Sequence, residues 1–217
     1  MMLQIASLQF TSMKSDDSGS VAVHFLAQRP LPFKAGQFGL WIVPRGGFKP
    51  FTVASAPGEE FITLGTSLKS QSRFKRALAK LTPGDKVRLV GPIGDFTLER
   101  TAPAVVMLAQ GVGVTPFRSI LRHAAMGGSD KRTTLIHVGN QHAFRQDTEG
   151  TATESHYPTS RELFAQKLEA AAREQPKATF MVSGTPAFVR STATRLKANS
   201  VDSSQILRDA FYGWSGR

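Results

Sequence analysis

AVVMLAQGVGVTPFRSIL, residues 104–121, is the stretch on which the reading of this chain turns. Residues 104–109 are apolar without alternation, the pattern of a strand covered on both faces. Gly111 and Gly113 follow, and then Thr115 and Pro116 open a helical pattern, TPFRSILRHAAM, with Thr115 expected as cap and Pro116 in the first turn. A strand that passes through glycines into a helix presents free backbone N–H groups where phosphate binds well. The spacing is G-x-G-x-x-P and lacks the third glycine of the dinucleotide fingerprint, so an ordinary strand–helix turn accounts for this stretch taken alone equally well.

The same rhythm continues to the C-terminus. TTLIHVGN, ATFMVSG and SQILRDAF read as strands; SRELFAQKLEAAAREQ and TPAFVRSTATRLKAN read as helices. Strand–helix alternation at this spacing predicts a parallel sheet with helices on both faces. Ser183-Gly184-Thr185-Pro186 repeats the strand–turn–helix logic, and His137 to Asn140 ends a third strand on the same edge. That carboxyl edge is where open α/β sheets hold nucleotides. RQDTEGTATESHYPTS, residues 145–160, is polar and weakly patterned and reads as a surface insertion or mobile loop.

Upstream the rhythm differs. Six short runs rich in β-formers, from LQIASLQF to DKVRLVGP, are separated by turn chemistry such as SDDSG, PRGG and LTPGD. One helical interruption, SRFKRALAKL, places Phe74, Leu78 and Leu81 on one face with Ser72 as cap. The cations of that helix read as a solvated face. The expectation is a two-domain chain: an antiparallel Greek-key β-barrel over residues 1–100 and an α/β parallel-sheet nucleotide-binding domain over 101–217. GPIGDF, residues 91–96, reads as a structural turn closing the barrel.

Composition narrows the function. The 217 residues include no cysteine, which excludes disulfides, thiolate-held iron–sulfur clusters and cysteine zinc sites. No apolar run is long enough to span a membrane, and the N-terminus reads as a first strand rather than a signal peptide, so a cytoplasmic protein is expected. Net charge is +11, shared between the halves (13 basic against 7 acidic residues through position 100, 14 against 9 beyond), so there is no basic tail. That balance suits an acidic protein or phosphate-rich ligands, and no nucleic-acid-binding motif accompanies it. The five histidines are scattered, without a metal-binding pair.

KPFTVASAP, GPIGDFTL, LAQGVGVTPFRSIL, FMVSGTPAFV and DAFYGW, in this order, resemble the ferredoxin–NADP(+) reductase-like flavoprotein oxidoreductases. The likeness runs from about residue 3 to 214. It implies FAD on the barrel and NAD(P)H on the sheet. The family's Arg-x-Tyr-Ser/Thr motif stands here as Lys49-Pro50-Phe51-Thr52: the aromatic against the flavin ring, the cation toward phosphate, and Thr52, the catalytic candidate, toward flavin N5. Lys for Arg loses the bidentate fork. Thr66, Ser67 and Leu68 would line the ring and ribityl chain, and Ser72, Arg73 and Phe74 the pyrophosphate. Gly111, Gly113, Thr115 and Pro116 would take the nicotinamide cofactor's pyrophosphate, and Gly184, Thr185 and Pro186 would seat the nicotinamide, with Ser183 where many members carry Cys. Tyr212 and Trp214 would supply an aromatic gate beside Phe211. Arg145 and His142 are the candidates for a 2′-phosphate, leaving NADH or NADPH open. The resemblance implies hydride transfer from nicotinamide to FAD and electron delivery to an acidic carrier, ferredoxin or flavodoxin, or to a small-molecule acceptor. The alternative is a non-catalytic flavin- or nucleotide-binding subunit of a larger complex.

Overall fold

The computed structural model describes residues 4–70 and 72–211. The barrel consists of β1 (Ile5–Ser15), β2 (Ser20–Ala27), β3 (Phe38–Val43), β4 (Gly47–Thr52), β5 (Ile62–Ser67) and β6 (Lys86–Ile93). They form one antiparallel sheet in the order β4-β3-β6-β1-β2-β5, and a single bridge from Val53 to Leu64 draws the two edges together. Alternation puts Leu8, Val23, Phe25, Trp41, Leu64 and Leu89 inside, all without solvent contact. Helix α1 (Arg73–Leu78) closes one end with Phe74 and Leu78, and Ser72 caps it by accepting from Lys75 N. The helix stops three residues earlier than its periodicity suggests. Beyond Leu78 the N–H groups of Lys80 and Leu81 turn to carbonyls only three residues back, tightening the chain into the TPGD turn.

The second half builds β7 (Ala104–Gln110), α2 (Thr115–His123), β8 (Arg132–Val138), α3 (Arg145–Thr148), β9 (Glu154–His156), α4 (Arg161–Glu174), β10 (Thr179–Gly184), α5 (Pro186–Ala198) and β11 (Ile206–Ala210). Its sheet is parallel throughout, in the order β11-β10-β7-β8-β9. Val106, Leu108, Phe180 and Val182 pack against α4 and α5, while Val105, Met107, Ala109 and Met181 face α2. Both faces of β7 are thus covered, which is why its sequence does not alternate.

Two expectations are corrected. Residues 145–160 are not a patternless loop: they form α3 and then β9, a fifth strand paired to β8 over Thr134–Ile136. Thr115 does not cap α2. Gly111–Val114 already coil as a 3-10 turn, so helical bonding begins before Thr115, and its hydroxyl instead donates to Val112 O at 3.0 Å.

The two halves are joined by one face of α2. Phe117 meets Phe96 of the barrel side, ring centroids 5.7 Å apart. The buried Arg118 donates to Ala54 O (2.7 Å), Glu59 (3.2 Å) and Asp147 of α3 (3.1 Å). Ser119 donates to Ser55 O at 2.6 Å, and Arg122 reaches the same Glu59 at 2.7 Å. Removing one partner of such a desolvated cluster costs about 3–5 kcal/mol. Arg118→Ala is therefore expected to lower the urea unfolding free energy by about that amount; an unchanged midpoint would show that the cluster is hydrated and weak.

Candidate functional site

Strand order reverses between β7 and its parallel neighbour β10, with β8 and β9 on one side and β11 on the other, so the connections from these two strands leave toward opposite faces and a crevice opens at their carboxyl ends. Three contacts fix the Gly111–Val114 turn there. A side chain at Gly113 would lie 2.5 Å from Ser183 O, so only glycine lets the turn sit against β10. Thr185 caps α5 through Phe188 N and donates from its hydroxyl to Gln110 Oε1 at 2.9 Å, tying the second strand end to the first. His137, fully buried on β8, donates from Nε2 to Gly111 O at 2.9 Å. Burial, then the neighbouring His142, pushes its pKa down to about 3, so the ring is neutral at physiological pH. Gly111 itself has φ +54° and open space where a side chain would project. The turn is anchored from behind and open in front.

The barrel meets this turn at β5. A side chain at Gly65 would lie 2.5 Å from Thr115 Cγ2 and 2.9 Å from the Phe144 ring, so glycine permits the close approach. Thr66, buried, and Ser67 and Leu68, half-buried, follow directly. Lys75 bends back from α1 so that Nζ donates to Ser67 O. Its pKa is lowered first by burial and then by the positive charge of Lys49 on β4. Arg73 donates from Nε to Arg45 O at 2.7 Å. Phe51 leans on Phe74, centroids 5.3 Å apart and planes 31° inclined. Thr52, next along β4, is buried opposite Phe38. Lys75, held against Ser67 and beside the Phe51–Phe74 pair, makes this end of the barrel basic and partly apolar, a setting that suits an anionic ligand with a planar group.

No protein-family model matches the chain. Among curated proteins it is 35% identical over 102 residues to ferredoxin–NADP reductase B of Sorangium cellulosum, a match covering 45% of this chain and 42% of that protein. It is 28% identical over 107 residues to a flavohemoprotein of Deinococcus radiodurans, covering 48% of this chain and 27% of that one. The matches thus span less than half the length of these curated relatives. Among solved structures, a ferredoxin NADP+ reductase from Neisseria gonorrhoeae with bound FAD and NADP superposes with a TM-score of 0.78 at 19% identity, over 96% of this chain and 99% of that one. The fold is ferredoxin–NADP reductase-like. The partial sequence matches point the same way.

In this fold Gly111, Gly113, Gly184, Thr185 and Pro186 meet at the crevice, and Thr66 and Ser67 adjoin it across the Gly65–Thr115 contact. The side chains of Thr115 and Pro116 are instead buried in α2, and that of Phe74 in the barrel core. Arg145 is engaged by Glu149 (3.0 Å) and lies 4.6 Å over the Tyr157 ring. Tyr212 and Trp214 lie outside the described residues. Lys75 was passed over as part of a solvated face; its turn toward β5 depends on where that strand ends. His137 carried a legible signal, being the one ionisable residue in the otherwise uncharged run TTLIHV.

Asp209 is a further group that sequence reasoning did not single out. It pairs in register with Ser183, and burial pushes its carboxyl up to about 6 from an ordinary 3.8. The folded state therefore holds this proton more tightly than the unfolded chain. Its contribution is most favourable below pH 4, is lost as pH rises toward 6, and stays absent above. Asp209→Asn is expected to raise the unfolding free energy at pH 8 by about 2–3 kcal/mol and to change nothing at pH 3.5, as denaturant titrations at the two pH values would read. Equal midpoints at pH 8 would mean that the carboxylate is solvated.

Proposed function

We propose that the chain is an FAD-dependent NAD(P)H oxidoreductase that passes electrons to a separate acceptor. The observation that carries this is the juxtaposition across Gly65 and Thr115. An anion-binding cluster at the β4 and β5 ends adjoins a phosphate-binding turn at the crevice of a parallel sheet. The residues fit both cofactors. Lys49 and Lys75 form a cationic pair that phosphate would neutralise, and the space before Gly111 admits a pyrophosphate against bare backbone.

FAD held here would supply the redox chemistry between NAD(P)H and a separate acceptor. The protein's part is to hold and orient. Lys49, Lys75, Ser72 and Arg73 act on the phosphates of FAD, and Thr66, Ser67 and Leu68 on its ribityl side. Gly111, Gly113 and Gly184 admit the nicotinamide dinucleotide, with Thr185 and Pro186 fixing the second strand end. Thr52 offers its hydroxyl at the reacting edge. Holding two reacting rings in contact can lower a barrier by on the order of 7 kcal/mol. An acidic carrier such as a ferredoxin or flavodoxin suits a net charge of +11 as acceptor, with a small molecule as the other class. A chain without cysteine suits the reducing cytoplasm. No helix among the described residues is long and apolar enough to cross a membrane.

The purified chain loaded with FAD is expected to be yellow and to bleach under anaerobic NADPH or NADH. A yellow protein that neither cofactor bleaches is a binding subunit instead. Lys75→Met is expected to weaken FAD binding about tenfold or more, the effect of losing one hydrogen bond to a charged group. Thr52→Ala should leave FAD affinity intact and slow bleaching about tenfold; bleaching at the wild-type rate would remove Thr52 from the reacting edge.

A further inference from the structure

The two strand ends that form the crevice carry no charge of their own. Residues 109–117, which end β7 and open α2, and residues 180–189, which form β10 and open α5, contain no Asp, Glu, Lys, Arg or His. Polar side chains stand there at Gln110, Thr115, Ser183 and Thr185. Three of these are committed within the fold. Thr115 donates to Val112 O at 3.0 Å. Ser183 is fully buried. Thr185 accepts from Phe188 N at 3.3 Å and donates to Gln110 Oε1 at 2.9 Å.

The bonds of Thr185 also decide which way the Gln110 amide lies. As a cap its oxygen takes the Phe188 N–H, and its proton is left to donate. A donated proton calls for the amide oxygen rather than the NH2 group. Oε1 is therefore held against the start of α5, and Nε2 is turned the other way. Nε2 has no hydrogen-bond partner among the described residues. Gln110 is half-buried at the last position of β7, directly before the open Gly111 turn. Gly184 keeps the floor beside it clear, since a side chain there would come 3.2 Å from Gln110 Cβ.

We infer that Gln110 is a coenzyme-binding residue, its Nε2 donating to a pyrophosphate oxygen of the nicotinamide dinucleotide laid against Gly111. This rests on the function proposed above and adds a side-chain contact to a turn that otherwise offers backbone. The match is one of hydrogen-bond type. The free side of the amide is donor only, and a pyrophosphate oxygen is an anionic acceptor. The bond to Thr185 orients the donor before the ligand arrives, so little side-chain freedom is lost on binding. A neutral donor also suits a partly covered floor, because it leaves no desolvated charge when the coenzyme departs.

The test titrates NADP+, NAD+ and ADP into the full chain loaded with FAD, by calorimetry. Gln110→Met keeps the length of the side chain and loses the donor. Gln110→Glu keeps an oxygen for Thr185 and puts a charged oxygen where Nε2 stands. Gln110→Met is expected to weaken the tighter-binding dinucleotide about tenfold, the effect of losing one hydrogen bond to a charged group. Gln110→Glu is expected to weaken it about a hundredfold or more by repelling the phosphate. ADP, which carries the pyrophosphate without the nicotinamide riboside, should follow the same order. Far-ultraviolet circular dichroism and FAD affinity should match wild type in both variants. In anaerobic bleaching, the half-saturating NAD(P)H concentration should rise more than the limiting rate falls. A residue that merely ties the strand ends together needs only its oxygen and gives the reverse order, with Gln110→Glu binding like wild type and Gln110→Met weakened. That order overturns the assignment. So does ADP affinity indifferent to both variants, which moves the contact to the nicotinamide riboside, and so does a wild type that binds neither dinucleotide. A wild type that binds a dinucleotide but is never bleached by its reduced form refutes the oxidoreductase reading alone, and the order of the variants then still decides the role of Gln110.

Discussion

The guanidinium of Arg118 is the interaction on which the rest depends. It is buried at the middle of α2 and is met by a backbone carbonyl of segment 54–59, by Glu59 and by Asp147 of α3. A desolvated charge is tolerable only where its partners are in place, so the cluster admits a narrow range of orientations between barrel and sheet. Ser119 narrows it further by accepting from Gly36 N while donating to Ser55 O. The apolar contacts around them, Phe117 with Phe96 and Ile120 in the shared core, supply the non-directional attraction. The polar set decides the register of that attraction.

The crevice follows from that register. With α2 pinned to segment 54–59, its N-terminal turn lies against Gly65, and the ends of β5 and β7 come together although Ser67 and Gln110 lie 43 positions apart in sequence. Charge is distributed to match. The sheet side offers backbone and a neutral histidine behind Gly111, whereas the barrel side offers the ammonium group of Lys75 beside Ser67. One fold relative, the reductase from Neisseria gonorrhoeae, has FAD and NADP bound.

Much of this was legible before any coordinates. Turn chemistry between short β-rich runs announced the barrel strands, and the unbroken apolar run of β7 announced a strand with two covered faces, because local propensity and burial pattern agree there. Ser72 was readable as a cap for the same reason. Residues 145–160 were misread because β9 has three residues and no hydrophobic pattern; it is a strand only because β8 offers it an edge. Thr115 was misread because the preceding glycines coil into a tighter turn that the Thr-Pro signal does not reveal.

The candidate site divides along the same line. Which residues could bind phosphate, stack or donate a hydroxyl is a matter of side-chain chemistry and of glycine's freedom, both written in KPFT, QGVG and SGTP. Which of them share one crevice is a matter of contacts between residues far apart in the chain. Only the tertiary structure turned Lys75 toward Ser67, put His137 behind Gly111 and set Asp209 beside Ser183 under enough cover to raise its pKa. Burial and proximity depend on packing, which a local pattern does not encode.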